Sequence, residues 1–164
     1  MNNNFNWSEY FMTQAITVSL KSKDPSTKVG CIIVDPIDNK QISMGYNGFP
    51  KGIDESKLTW NKDVSHGIEN TKYPYVVHAE ANALLNAVRD VKGADVYVTL
   101  QPCSECSKLL ISAQIGRVFY LKEKHCKMAQ NLLELANIPS NKYILSEQKI
   151  NKVIETFIKV RDCD

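Results

Sequence analysis

Two short segments carry the residues with the clearest chemical potential, 78–80 (His-Ala-Glu) and 102–106 (Pro-Cys-Ser-Glu-Cys). Cys103 and Cys106 stand three positions apart, which puts both sulfurs on one side of a helical first turn. The N-terminus of a helix lowers a thiol pKa and favours the thiolate that a metal needs. His78 can add an imidazole nitrogen, and this set of ligands suits Zn²⁺. We therefore predict that His78, Cys103 and Cys106 bind one zinc ion.

Glu80 completes this predicted site. Three protein ligands leave the fourth zinc position open for water, which is typical of catalytic rather than structural zinc. Glu80 lies two residues after His78, so at a helix start its carboxylate can stand beside the metal without binding it. There it can take a proton from water and pass it to a substrate. The order His-x-Glu followed by Pro-Cys-x-x-Cys is the signature of zinc nucleobase deaminases, and predicts such an enzyme with Glu80 as catalytic residue.

Other interpretations of the two cysteines are open at this stage. A lone Cys-x-x-Cys also fits a redox pair or a closed structural zinc site. A redox pair does not need the His-x-Glu segment, and a closed site needs a fourth ligand. A zinc-stabilised binding module without catalysis is a further alternative, but it has no need of Glu80. Four residues are available in principle as that fourth ligand, but none has a helpful local spacing: His66, His125, Cys31 and Cys126. We interpret Cys31, Cys126 and Cys163 as simply unpaired.

Composition limits the class of protein. The chain has 164 residues, of which 43% are hydrophobic and 23% charged, a balance that predicts one globular domain over 1–164. The formal net charge is only +2, so we expect no nucleic-acid partner. No apolar run is long enough for a membrane span. The five cysteines are odd in number and follow no signal peptide, which predicts a reducing, cytoplasmic location.

Hydrophobic periodicity predicts alternating strands and helices after an initial hairpin. Ser8 is the expected N-cap of a first helix, which ends before Pro25. Strands are predicted at 29–34, 41–46, 94–100, 117–121 and 143–145, and further helices at 79–88, 103–113, 128–136 and 150–160. The segment 47–74 has no sustained period, and we interpret it as a loop or lid with a short helix around Trp60. This order predicts an α/β sandwich with a mixed sheet.

Five segments together resemble the deoxycytidylate deaminases of the cytidine deaminase superfamily. They cover the chain from residue 7 to about 125, and the segments are 7–12, 22–30, 45–50, 71–80 and 96–106. The zinc motif alone indicates the superfamily, whereas the Lys-Asp-Pro and Gly-Tyr-Asn-Gly sequences narrow it to nucleotide deamination. The resemblance implies a three-layer α/β/α sandwich with a mixed five-stranded sheet. It also implies hydrolysis of dCMP to dUMP and ammonia, a reaction that feeds thymidylate synthesis.

The resemblance further implies roles for single residues. A zinc-activated water would attack C4 of cytosine, while Glu80 protonates N3 and then the leaving amine. Asn47 matches the family asparagine that contacts the sugar, and the backbone of Ala79 should hold the pyrimidine edge. His125 stands near a position where many relatives have a tyrosine. It either replaces that tyrosine as a substrate contact or is simply exposed.

Regulation and assembly are also implied by the resemblance. Members of the family are commonly homohexamers, activated by dCTP and inhibited by dTTP, with Mg²⁺ accompanying the triphosphate. In this chain Lys23, Lys28 and Gly48 could surround a polyphosphate through charge and backbone N–H groups, although both lysines could equally be solvated surface residues. The segment 47–77 has no cysteine and only His66, so we expect one zinc per subunit.

Two other substrates are open alternatives. The phosphate contacts are the least defined part of the resemblance, so a deaminase that accepts dCTP as well as dCMP is the first. A tRNA adenosine deaminase is the second, but it would need a basic surface for RNA that the balanced charge does not indicate.

Overall fold

The centre of the molecule is a mixed five-stranded sheet, seen in a computed structural model that describes residues 5–161. Cys163 and both ends of the predicted domain lie outside these residues. Along the chain the elements are α1 (Trp7–Ser19), β1 (Gly30–Val34), β2 (Gln41–Tyr46), α2 (Ala79–Leu85), β3 (Asp95–Leu100), α3 (Ser104–Ser112), β4 (Arg117–Lys122), α4 (Lys127–Leu135), β5 (Ser140–Lys142) and α5 (Glu147–Arg161).

The strand order is β2-β1-β3-β4-β5. β1 pairs antiparallel with both β2 and β3, whereas β3, β4 and β5 run parallel. Every residue of β1 is buried, as expected for a strand covered on both faces. The predicted hairpin and the mixed sheet are therefore confirmed.

Helices cover both faces of the sheet and make the predicted three-layer sandwich. On one face α2, α3 and α4 pack over a core that includes Ala83, Leu110 and Leu133. On the other face α1 buries Phe11 and Met12 against the sheet. This arrangement confirms the α/β/α fold class.

Several element boundaries differ from the predicted ones, among them the start of α5, which lies at Glu147 rather than 150. α1 is capped by Asn6, whose side chain accepts the N–H of Glu9 at 2.8 Å, rather than by Ser8. Ser8 instead shares a 3.0 Å hydrogen bond with the hydroxyl of Tyr97. β5 lies at Ser140–Lys142 rather than 143–145, and α2 ends at Leu85 rather than 88. Local periodicity could not show these, because side-chain hydrogen bonds decide where an element begins and ends.

α2 lies directly against the edge strand β2. Gly45 permits this approach, because a Cβ there would overlap the backbone of α2 at Ala79 and Ala83. Two side chains of the α2 segment cover the open edge: Asn82 donates to the carbonyl of Tyr46 at 2.8 Å and Asn86 to that of Met44 at 3.1 Å. The start of α2, which carries His78 and Glu80, is thereby fixed to the sheet.

The segment 47–77 is a loop, as predicted, but its short helical turns differ from the predicted one. It contains three short 3₁₀ turns, at Glu55–Lys57, Val64–His66 and Ile68–Asn70. None of them includes Trp60, so the predicted helix around that residue is wrong. Trp60 packs on Phe49 instead, with ring centroids 4.2 Å apart. An antiparallel bridge between Gly48 and Val77 closes the loop at its two ends.

α5 extends along the outside of the molecule. Its first turn is joined to α1 by a 3.0 Å ion pair between Lys149 and Glu9. The apolar stripe that predicted an amphipathic helix is present but exposed, in Ile150, Ile154, Phe157, Ile158 and Val160. Neither α5 nor any other helix within residues 5–161 has the length and apolar character to cross a bilayer.

Candidate active site

The chemistry-bearing residues converge in one pocket of about 260 Å³. It lies where the C-terminal end of β3 meets the N-termini of α2 and α3, the edge where open α/β sheets bind ligands. His78 immediately precedes α2 and Cys103 immediately precedes α3. Both helix starts therefore point their free N–H groups and positive dipole ends towards the same place.

The three predicted metal ligands lie together. Their donor atoms are all within 4.8 Å of one another, and no other group of three such side chains occurs in the described part of the chain. His78 Nδ1 is 3.3 Å from Cys106 Sγ and 3.5 Å from Cys103 Sγ. Tetrahedral zinc with ordinary Zn–S and Zn–N bonds would separate nitrogen and sulfur by about 3.5 Å. The observed spacing therefore fits a zinc ion held by these three side chains.

Hydrogen bonds among the three predicted metal ligands shift the pKa values of their side chains. The pKa of Cys103 falls to about 3, because Cys106 and His78 donate hydrogen bonds to its sulfur. The pKa of Cys106 is raised, because it donates that hydrogen bond and is buried. The pKa of His78 is raised by its hydrogen bond with Cys103, against burial and the charge of Lys124. The thiolate of Cys103 can bind Zn²⁺ directly, and His78 and Cys106 would release their protons when the metal binds.

Glu80 occupies the position predicted for a proton carrier. It is only 4% exposed, yet its carboxyl group lines the pocket beside the three metal ligands. Burial raises the pKa of Glu80, while its own backbone N–H and the nearby His78 lower it. A carboxyl group whose pKa is raised in this way can hold a proton at one step and release it at the next.

Asn47 also lines the pocket, and three hydrogen bonds hold its side-chain amide. Its Oδ1 accepts the N–H of Val29 at 2.8 Å, and its Nδ2 donates to the carbonyl of Thr27 at 3.0 Å and to Asp24 at 3.4 Å. The orientation of this amide is therefore set before a substrate binds. A sugar contact by Asn47 stays a prediction, and the geometry supplies a rigid group for it.

Asp24 forms a buried ion pair with Lys72 in the same wall of the pocket. Its carboxylate also accepts the N–H groups of Ser26 at 2.8 Å and Thr27 at 3.1 Å. Burial by itself would raise the pKa of Asp24, but these hydrogen bonds and Lys72 outweigh it and lower the pKa. The Asp24 carboxylate thus stays charged at neutral pH, and its hydrogen bonds fix the segment that holds Asn47.

We expect Asp24→Asn to lower the free energy of unfolding by about 3–5 kcal/mol, because it leaves the buried ammonium of Lys72 without a counter-charge. Urea unfolding of the zinc-loaded protein at pH 7 measures this. Asp38→Asn is the matched control: it breaks an exposed 2.7 Å pair with Lys40 and should change the same quantity far less than Asp24→Asn does. Equal losses in the two variants would contradict the structural role of Asp24.

Of the two other residues predicted to contact the substrate, Ala79 lines the pocket and His125 does not. Ala79 is fully buried at the start of α2 and lines the pocket, so its backbone faces a bound ligand. The side chain of His125 is 83% exposed and lies 3.3 Å from Glu123, outside the pocket. Its role as a substrate contact stays a prediction.

The three residues predicted to bind an effector also lie outside the pocket lining. Lys23 pairs with Glu55 at 2.9 Å on the surface, and Lys28 donates to the carbonyl of Ser22. The N–H of Gly48 donates to Val77 at 3.1 Å. An effector that used these groups would have to displace those partners.

Three lysines that line the pocket had no predicted role: Lys62, Lys72 and Lys124. Lys72 lies within the quoted segment 71–80, but a lysine six residues from a metal ligand has no local pattern that indicates burial. Lys62 and Lys124 come from the loop and from just after β4, and only the fold brings them together. No signal in the sequence points to either.

Comparison with known proteins agrees with this geometry. Residues 5–122 match the family model described as the cytidine and deoxycytidylate deaminase zinc-binding region, well over half of the chain. The human deoxycytidylate deaminase is 40% identical over 157 residues, which is 92% of this chain and 85% of the human protein. The mouse deoxycytidylate deaminase is 41% identical over 150 residues, 88% of this chain and 83% of the mouse protein.

A solved structure is also similar to this chain in its fold. The crystal structure of dCMP deaminase from the cyanophage S-TIM5, in complex with dCMP and dUMP, superimposes with a TM-score of 0.68. It is 27% identical to this chain and covers 82% of it, while the chain covers 95% of the phage protein. Fold, site geometry and sequence therefore all indicate one family.

Proposed function

The chain belongs to the cytidine and deoxycytidylate deaminase zinc-binding family, and from this premise we propose that it hydrolyses dCMP to dUMP and ammonia. The observation that carries the proposal is the buried Glu80 at a pocket that His78 and Cys103 also line, with Cys106 completing the cluster of three zinc-compatible donors. The names of the human, mouse and phage relatives support dCMP as the substrate.

His78, Cys103 and Cys106 would hold Zn²⁺, one ion per chain. Bound there, the ion would supply Lewis-acid activation of a water molecule. In this proposal Glu80 takes a proton from the attacking water and delivers it to N3 of cytosine. It then moves a second proton to the amino group at C4, which leaves as ammonia.

The remaining pocket residues orient the nucleotide. The backbone at Ala79 would bind the edge of the pyrimidine, and the fixed amide of Asn47 would face the sugar. Because these groups are already held in place, little ordering is needed when the substrate binds.

The proposal extends to regulation and assembly. It includes activation by dCTP and inhibition by dTTP, with Mg²⁺ accompanying the triphosphate, and a homo-oligomer, with a hexamer favoured. It also includes a cytoplasmic location, because the zinc-ligand thiols need a reducing compartment. The family relationship supports regulation and assembly. The location is supported by the described cysteines that form no disulfide: Cys31, Cys103, Cys106 and Cys126.

A substrate panel tests the proposal. Ammonia release by the zinc-loaded protein should be fastest from dCMP, compared with dCTP, CMP, cytidine and a tRNA stem-loop. At low dCMP concentration, dCTP should raise the rate and dTTP should lower it. Faster turnover of dCTP than of dCMP would favour the dCTP alternative, and turnover confined to the stem-loop would favour tRNA editing. No change with dCTP would remove the regulatory part alone.

A further inference from the structure

One wall of the pocket is the segment 123–126, which joins β4 to α4 and has no regular secondary structure. Lys124 lines the pocket from this segment. His125 has a left-handed backbone, with φ of 53°. A residue other than glycine keeps this conformation only where its surroundings hold it there. Contacts from outside the segment must therefore fix this wall.

A single hydrogen bond holds the backbone of this segment. The N–H of Lys124 donates to Gln101 Oε1 at 2.9 Å. Within residues 5–161, the backbone N–H groups of residues 123, 125 and 126 have no hydrogen-bond partner. Glu123 lies 3.3 Å from His125 and 3.8 Å from Lys142, but these are contacts between side chains. The path of the backbone therefore depends on Gln101.

Gln101 is well placed to act as an anchor. It is only 3% exposed, and its own N–H donates to the carbonyl of Lys122 at 2.8 Å. It also lines the pocket and lies two residues before the metal ligand Cys103. Only the oxygen of its amide can accept the N–H of Lys124, so this bond sets the orientation of the amide. Gln101 thus joins the metal-ligand segment to the pocket wall.

We propose that Gln101 is a positioning residue: its side chain holds the segment 123–126 against the pocket and thereby strengthens binding of the nucleotide. A wall that is already in place needs little ordering when a ligand binds, and ordering is part of the cost of binding. The bond acts on binding rather than on proton transfer, which belongs to Glu80. The effect on dCMP rests on the proposed function, whereas the link between Gln101 and the segment does not.

Two substitutions separate the acceptor of Gln101 from its size. Gln101→Met has a similar length but replaces the amide oxygen by a sulfur that accepts hydrogen bonds only weakly. Gln101→Glu keeps an oxygen that can accept the N–H of Lys124. Gln130→Met is the matched control, because Gln130 is half-buried in the neighbouring helix α4 and does not line the pocket.

The measurements are made on the zinc-loaded protein. They are the hydrogen-exchange rate of the Lys124 amide by NMR, KM and kcat for dCMP, and zinc content. In Gln101→Met, both the exchange rate and KM should rise by about 3- to 10-fold, as expected for loss of one neutral hydrogen bond. kcat should stay within about a factor of two, because a change in binding alone affects KM. Zinc content should stay at one ion per chain.

The other two variants should behave differently from Gln101→Met. Gln101→Glu should return the exchange rate of the Lys124 amide to near that of the unmodified protein, because the acceptor is present again. This rescue is judged on exchange alone, since the new carboxylate also changes the charge of the pocket. Gln130→Met should leave exchange, KM, kcat and zinc content unchanged.

The proposal is overturned if the Lys124 amide exchanges as slowly in Gln101→Met as in the unmodified protein, or if KM stays the same while exchange becomes faster. It is also overturned if Gln101→Glu exchanges as fast as Gln101→Met, or if Gln101→Met loses zinc and kcat, which would indicate general support of the metal site. Failure of the proposed function would look different. The unmodified protein would then form no dUMP from dCMP, while amide exchange would still show whether Gln101 holds the segment.

Discussion

Glu80→Gln is expected to lower kcat for dCMP by about 10²–10⁴-fold, the range for loss of a general acid–base group. Glutamine has nearly the same shape as glutamate but cannot carry a proton between water and N3. Because Glu80 is not a metal ligand, zinc content and melting temperature should stay close to those of the unmodified protein. Steady-state kinetics, metal analysis and thermal unfolding of the purified variant measure the three quantities.

Glu105→Gln is the matched control for this variant. Glu105 lies in the same motif, but its side chain is 73% exposed and pairs with Lys108 at 2.8 Å on the surface. Its substitution should leave kcat within about a factor of two, as for a surface ion pair of little energetic weight. A Glu80→Gln variant that turns over dCMP as fast as Glu105→Gln would show that the proposed proton carrier is wrong.

Cys103→Ser is expected to remove both zinc and activity. A hydroxyl group is a much poorer zinc ligand than a thiolate, and the loss of a ligand should cost more than the about 10–100-fold in metal affinity that a supporting contact costs. Metal analysis after gel filtration should find well under one zinc per chain, and dCMP turnover should fall in proportion.

Cys126→Ser controls for the general effect of losing a thiol. Cys126 is a half-buried free cysteine just before α4, outside the pocket lining. This variant should keep one zinc per chain and full turnover. If it lost zinc as Cys103→Ser does, or if Cys103→Ser kept its zinc, then the assigned ligand set would be incorrect.

Much of the fold could be predicted because hydrophobic periodicity reports burial directly. The all-apolar strand Gly30–Val34 and the helix Ser104–Ser112 both lie within two residues of their predicted bounds. The hairpin and the alternating elements then permitted only a sandwich with a mixed sheet. The boundaries that failed were those set by single side chains, such as the cap at Asn6 and the amide of Asn86 that bonds β2.

The metal site could be predicted because its geometry is local. Cys103 and Cys106 share one helical turn, and His78 and Glu80 share another, so each half of the site is encoded in a few adjacent residues. Only the contact between these two segments depends on the overall fold. Such motifs are informative because the local backbone geometry alone places their donor atoms close together.

The lysines of the pocket could not be predicted for the opposite reason. Lys62, Lys72 and Lys124 come from separate segments and line one pocket only because the fold brings those segments together. Lysine is usually a solvated surface residue, so its presence in a sequence carries little information about a site. His125 has a left-handed backbone and lies outside the pocket, and no hydrophobic pattern indicates this.

The most direct test of the central claim is dCMP turnover as a function of zinc bound per chain. Metal-free protein is prepared by chelation under reducing conditions, zinc is added back in steps, and dUMP and ammonia are quantified at each step. We predict that equal amounts of dUMP and ammonia form, at a rate that rises linearly from zero to a maximum at one zinc per chain. Full turnover by the metal-free protein, or none at one zinc per chain, would contradict the account.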